Sequence, residues 1–513
     1  MTNQPPPPSK LGFMRPLGAF NGPRSPFDSR IGVIALIVCA AIWAYGLVFR
    51  PLWRDEYWSL YFADAGQSLG QALGRITLDV HPPGYFLLLR YWQGASQSVF
   101  WARAFNVFTV AVCALGCWRL GRARRAETLT FLGLAGTSYW LMFFGVEIRM
   151  YILIFCLGAA TLIIVRNALE APDKPLGPAV LMALVGGLDA YAHFFATLWV
   201  AVLGGWTVLA FLRQRAFKAA AFWTLATGLA LIPAVIWILL HHPQSNPGAE
   251  KSFPPFLTSL SYASNQLLRG AVIKTGLENL AATTALIAGG GYLIRRKASF
   301  DVVVALAVVS TVVISFVIHF TVVSLIKERA FTVVMPGLIY LMARAVQAAL
   351  DGETSRGALF TPWIPLLAIV TPLFYMGEYT RNLEHTNDVR KAVARAGDCA
   401  GKPVLAYFRP SDQGQDISQM MAGLILKGAA HGQDLQLVDV TGPDAKALIA
   451  NPPAGCRVRA IALMLPRHED HWQARIAFQK AGLDVDRLIV EDIGKARQEV
   501  YLEPTPPNAP AGN

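Results

Sequence analysis

Between residues 31 and 378 the chain is a succession of long apolar runs broken by short polar segments, and beyond 379 apolar residues come only in short bursts. A helix rises about 1.5 Å per residue, so about 20 apolar residues cross the roughly 30 Å of a bilayer's hydrocarbon core. Runs near that length predict spans at about 31–49, 101–120, 127–145, 148–166, 176–190, 192–212, 217–240, 279–294, 300–320, 330–349 and 359–378, roughly eleven in all. The segment 83–99 reads differently, because it carries Arg90, Gln93 and Gln97. An Arg at mid-bilayer costs on the order of 3 kcal/mol. The expectation is an amphipathic helix lying in the interface, with Tyr85, Tyr91 and Trp92 at headgroup level.

After 379 the pattern predicts strands at 403–408, 435–440 and 458–464 and helices at 413–428, 443–450 and 468–482. Such alternation suggests a small α/β domain with a mostly parallel sheet. No glycine-rich phosphate loop follows a strand, so no nucleotide is assigned. The fold class expected is an α-helical polytopic membrane protein with interfacial helices in its first outer loop and a C-terminal α/β soluble domain. The divisions are a disordered cytoplasmic tail (1–30), a membrane domain (31–378, first outer loop 50–100), the outer-face α/β domain (379–503) and a disordered end (504–513).

Composition agrees: 54% of residues are hydrophobic and 15% charged, against about 25% charged in soluble proteins. The net charge of +12 would raise nucleic acid as a partner in a soluble chain. Here the basic residues cluster between spans, which points to topology and lipid headgroups and not to nucleic acid. With 83–99 left out of the membrane, the N-terminal tail and the clusters at 119–125, 166–174, 213–218, 295–297 and 344–356 all fall on one side. By the positive-inside rule that side is cytoplasmic. The expectation is a multi-pass protein of the inner (plasma) membrane, its N-terminus cytoplasmic and its C-terminal domain periplasmic. The tail before Arg30 has no cleavage site after the first run, so the first helix is read as retained. Cys39, Cys113, Cys117 and Cys156 lie in apolar runs as packing residues. Cys399 and Cys456 either pair or stay as two buried thiols.

This topology gathers polar residues from five places on the outer face: loop 50–100, Glu147-Ile-Arg149-Met-Tyr151, the turn at Tyr191 and His193, loop 241–278, and Lys327-Glu328-Arg329. Polar groups at membrane depth are costly, so their convergence suggests a site. Asp55 and Glu56 open the first loop, where a carboxylate suits a general base and equally an interfacial charge. Asp79 and His81 close the loop before two prolines that extend the backbone and then start a helix. Arg149 either pairs with Glu147 or presents its planar fork to a phosphate. Lys327 and Arg329 offer two further cations, and His193 with Tyr191 marks a helical hairpin's turn.

A first span followed by Asp-Glu, then Asp79-x-His81-Pro-Pro-x-Tyr85, then Arg149-x-Tyr151, resembles the C-type (GT-C) glycosyltransferase superfamily. The branch it is most similar to holds the bacterial lipid A aminoarabinose and galacturonic acid transferases and the protein O-mannosyltransferases. The segment Lys327-Glu-Arg-Ala-Phe-x-x-x-Met-Pro336 resembles a basic span start in that family. The likeness covers about 1–378, and Ala330 and Phe331 depart from the family's Tyr. It implies a sugar carried on a polyprenyl phosphate and inversion in one displacement. Asp55 would be the base, with Glu56 beside it. Asp79, His81, Glu147, Arg149, Tyr151, Tyr191, His193, Lys327 and Arg329 would bind substrate. No cofactor is required by this chemistry; a divalent metal is possible. The acceptor would be a glycolipid such as lipid A, a glycan or a protein. His81 stands where the aminoarabinose enzymes have Lys, so their substrate is not inferred. The alternatives are a transporter or lipid flippase, and a scaffold whose α/β domain binds a partner.

Overall fold

The structure is a computed structural model. It describes residues 25–50, 54–121 apart from 78 and 80, 124–240, 299–321, 330–350, 402–408, 436–463, 468–493 and 498–504, with the single positions 366, 369, 395 and 399.

The first span is α1 (Arg30–Phe49), started by Ser29, whose hydroxyl accepts the Gly32 N–H. Ile37, Val48 and Phe49 point outward, as expected for a helix whose solvent is lipid. The first loop carries three short helices, α2 (Arg54–Phe62), α3 (Leu69–Ile76) and α4 (Gly84–Gln93). Arg90, too polar for a span, donates to the backbone carbonyls of Asp64 and Gln67 and so ties α4 to the turn after α2. Trp92 and Trp101 stack at 4.6 Å, and each indole N–H bonds the other's carbonyl, at 2.7 and 2.8 Å. That pair welds α4 to α5 (Val99–Leu120).

The run expected at 127–145 is two helices, α6 (Arg125–Thr137) and α7 (Tyr139–Phe144). Ser138 has extended backbone and caps α7 by accepting the Leu141 N–H, which breaks the apolar run. The span expected at 148–166 begins later, as α8 (Tyr151–Glu170), because Glu147–Arg149 form a turn with side-chain partners of its own. Next come α9 (Leu176–Leu181), a π-helical segment (Met182–Gly186) and α10 (Gly187–Ala192), which together form one shorter apolar helix. The remaining helices of this region are α11 (Phe194–Arg213), α12 (Phe217–Leu240), α13 (Ser299–Thr321) and α14 (Met335–Leu350). Among the described residues, seven helices are long and apolar enough to cross a membrane. The expected spans at 279–294 and 359–378 lie outside the described residues. α8 and the stretch 331–348 are each 72% buried along the span and form the centre of the bundle.

The C-terminal domain holds a five-stranded sheet in the order β2-β1-β3-β5-β4. Its strands are β1 (Pro403–Phe408), β2 (Gln436–Asp439), β3 (Val458–Leu463), β4 (Ile489–Ile493) and β5 (Gln498–Leu502). β1 runs parallel to β2 and β3, but β5 is antiparallel to both β3 and β4. The mostly parallel sheet expected is therefore a mixed one. The missing pair, Ile-Val-Glu-Asp-Ile and Gln-Glu-Val-Tyr-Leu, carries acids at inner positions of the strands, so it lacks a clean apolar signature. Helices α15 (Asp444–Ala450) and α16 (His468–Ala481) pack on the sheet. Tyr407, Phe478 and Tyr501 lie in its core. Cys399 and Cys456 are disulfide-bonded.

Candidate active site

Asp55 and Glu56 stand in the first turn of α2, where the helix N-terminus favours negative charge. They are neighbours with opposite surroundings. Glu56 is fully buried. Its carboxylate accepts the Ile148 backbone N–H at 3.0 Å and three N–H contacts from Arg103 at 3.3–3.4 Å. Arg103, on α5 and equally buried, also donates to the carbonyls of Gly46 and Arg50 at the end of α1. Burying one such charge alone would cost several kcal/mol, so each depends on the other.

The turn before α8 is held from three sides. Glu147 is buried and ion-paired to Arg50 at 3.4 Å. Arg50 also donates to the Phe143 carbonyl at 2.8 Å and stacks on the Phe143 ring. The Asn106 amide, three residues after Arg103 on α5, donates to the Glu147 carbonyl. Held this way, the turn aims Arg149 at α2. Its guanidinium lies 4.0 Å from the Asp55 carboxylate and within 3.4 Å of the Ser59 hydroxyl. The side chain of Asp55 is 29% exposed and that of Arg149 9%, so the pair opens outward on the Asp55 side. Arg149 thus has Asp55 as an ion-pair partner.

The far end of the loop reaches the same place. Asp79 accepts the His81 backbone N–H at 2.9 Å, which forms a local turn. The His81 and His193 rings stack at 4.5 Å, and Tyr151 lies 6.2 Å from His193. His193 caps α11: its Nδ1 accepts the Phe195 N–H at 3.1 Å, which leaves the ring proton on Nε2. Burial, then His81 and Arg149, hold this imidazole well below its ordinary range, so it is neutral. Gly84 packs directly on the Tyr191 carbonyl, where a β-carbon would come within 2.5 Å. This contact sets the loop against the α10–α11 turn and places Tyr191 at the edge of the cluster. Lys327 and Arg329 lie outside the described residues.

No family model and no curated protein matches the sequence. Among solved structures, ArnT from Cupriavidus metallidurans in the apo state is similar, at 14% identity and a TM-score of 0.51. That match covers 91% of this chain and 97% of ArnT. ArnT bound to undecaprenyl phosphate aligns at 14% identity and TM-score 0.53, covering 92% and 98%. The chain has a GT-C fold. An Archaeoglobus fulgidus oligosaccharyltransferase in complex with Zn and sulfate aligns at 10% identity and TM-score 0.46, covering 91% and 73%. That likeness is too distant to argue from.

Several residues of the cluster escaped sequence reasoning. Arg103 and Asn106 sit inside an apolar run, where the signal was two polar residues at i and i+3, neighbours on one helix face. Arg50 and Ser59 gave no signal beyond their nearness to Asp55. Tyr85, the last residue of the loop motif, is fully buried near Arg149, Glu56 and Glu147. Its hydroxyl has no hydrogen-bond partner among the described residues, and burial pushes its pKa up. Asp189, one turn before His193, is buried with neither oxygen hydrogen-bonded among the described residues. In the α/β domain, His471, Asp492 and Glu499 bring ligand atoms within 4.8 Å of one another, so a divalent metal is possible there.

Proposed function

We propose that the protein is an inverting glycosyltransferase that moves a sugar from a polyprenyl phosphate to a hydroxyl acceptor, a glycolipid or glycan, on the outer face of the inner membrane. The observation that carries this is the approach of Arg149 to Asp55 at 4.0 Å. An open carboxylate next to a buried, rigidly held guanidinium is the pair such a displacement needs. The GT-C fold, shared with ArnT bound to undecaprenyl phosphate, supports the choice of donor.

The acceptor oxygen attacks the anomeric carbon as the bond from that carbon to the phosphate oxygen breaks. The acceptor's proton passes to Asp55, and the bonding electrons leave on the polyprenyl phosphate. A phosphate is already a good leaving group, so the acid side of the reaction needs only positive charge. Arg149 supplies that charge, and Lys327 or Arg329 is assigned the second cation. Glu56 is assigned a positioning role. It is enclosed by Arg103 and the Ile148 N–H, and through them fixes α2 and the 147–149 turn to each other. Neutral His193, stacked on His81, and Tyr151 would line the sugar's side of the site, with Tyr191 at its edge and Asp79 shaping the loop.

The test is transfer by the purified protein in nanodiscs, supplied with polyprenyl-phosphate sugars and candidate acceptors. Mass spectrometry of envelope glycolipids from a deletion strain would choose the acceptor. One observation favours a second reading. Asp189 is a buried acid just after a π-helical interruption in an apolar helix, a feature expected of transporters. Movement of an unmodified lipid-linked substrate across liposomes, with no glycosidic product, would establish that reading instead.

A further inference from the structure

A second charged assembly of the membrane domain lies at the other end of the bundle. α8 starts beside Arg149 and ends twenty residues later at Glu170, so about 30 Å of helix, the thickness of the hydrocarbon core, separates the two ends. There the end of α5, the start of α6, the end of α8 and parts of α13 and α14 border an open cleft of about 140 Å³. Its apolar wall includes Leu120, Phe131 and Ile163, and its polar wall Arg124, Asn167 and Glu170.

The charges are arranged in a chain. Glu127, deep in the cleft, takes Arg166 at 2.5 Å and Arg344 at 3.2 Å. Glu170 takes Arg166 at 3.2 Å and Arg124 at 2.8 Å. The inner members are enclosed, but the outer pair is not: the side chains of Arg124 and Glu170 are 45% and 48% exposed. Among the described residues Arg124 makes one ion pair, and a guanidinium has five N–H donors. Leu120 is exposed beside them.

A cleft with one greasy wall, placed at headgroup depth, fits a molecule that carries hydrocarbon next to a phosphate. The charge balance selects among such molecules. Arg124, Arg166 and Arg344 are balanced by Glu127, Glu170 and Asp301, which pairs with Arg344 at 3.5 Å, so an anionic headgroup gains no net attraction. A headgroup with both signs does, its phosphate on Arg124 and Asn167 and its cation on Glu170. A primary ammonium gives Glu170 N–H donors, which a quaternary one lacks. We propose that this cleft binds a zwitterionic phospholipid with a primary amine, of the phosphatidylethanolamine class, in the leaflet opposite Asp55. Its acyl chains lie along Leu120 and Phe131.

The test is native mass spectrometry of the full chain released from micelles, titrated with phosphatidylethanolamine, phosphatidylcholine and phosphatidylglycerol of matched chains. The ethanolamine lipid is expected to bind most tightly. Arg124→Ala, which removes a charge-assisted contact, and Leu120→Trp, which fills the cleft, are each expected to weaken it about tenfold. Should Arg124→Ala fail to fold, Leu120→Trp decides, since it touches no ion pair. Equal binding of the three lipids, a preference for the glycerol lipid, or unchanged ethanolamine-lipid binding in folded Leu120→Trp would overturn the proposal.

Discussion

The Arg103 guanidinium lies 3.3 Å from the Glu56 carboxylate, and neither side chain reaches solvent. One comes from the second long span and the other from the helix that presents Asp55, so the position of Asp55 depends on a contact it does not make. Removing one partner leaves the other charge buried without its counter-ion. Arg103→Ala or Glu56→Ala is expected to destabilise the membrane domain by about 3–5 kcal/mol. Replacing both with methionine and leucine is expected to recover much of the stability but little of the activity. Thermal unfolding in detergent beside a transfer assay would separate these effects; an Arg103→Ala protein with unchanged melting temperature would contradict the assignment.

His193 makes the fold sensitive to acid. Its folded pKa lies well below the ordinary value of 6.5, so below that pH the unfolded chain binds a proton that the folded chain refuses. Stability from this group is complete above pH 6.5 and declines as pH falls toward the folded value, by at most about 1.4 kcal/mol per pH unit. His193→Asn keeps an N-cap acceptor for Phe195 and removes the titration. Between pH 7.5 and 5.5 its melting temperature should fall less than that of the parent protein.

At Gly84 the loop packs on the backbone of the α10–α11 turn. A methyl group there meets the Tyr191 carbonyl at 2.5 Å, and one side must move. Gly84→Ala is expected to cost about 1–3 kcal/mol and to lower transfer by separating His81 from His193. Ala at the open position Gly74, which has nothing within 4 Å, is the control and should leave activity unchanged.

The Cys399–Cys456 disulfide closes a loop with a sequence separation of 57. Loop-closure entropy assigns it about 4 kcal/mol. Disulfides form and persist mainly in oxidising compartments, so this bond tests the proposal that the C-terminal domain lies outside the cytoplasm. Alkylation of envelope fractions with and without reductant should label these two cysteines only after reduction. Labelling without reductant would place the domain on the other side.

Much of this was legible because a bilayer imposes length on apolar runs. α1, α5, α11 and α12 lie within two residues of their expected positions. The boundaries failed where side chains, and not hydropathy, end a helix, as at Ser138 and at Glu147–Arg149. Asp55, His81, Arg149 and His193 were legible as polar residues at span ends that share one face. Arg103 was not, since hydropathy averages a single charge into an apolar window and cannot show that Glu56 awaits it. The β4–β5 hairpin escaped because its alternation is broken by Glu491, Asp492 and Glu499.

In the proposed reaction Asp55 takes the acceptor's proton while Arg149 steadies the departing phosphate. The most direct measurement is single-turnover transfer by Asp55→Asn, with donor binding followed in parallel. A rate lower by about 10²–10⁴ is expected, with polyprenyl-phosphate binding retained. An Asp55→Asn protein that transfers sugar at the parental rate would contradict it.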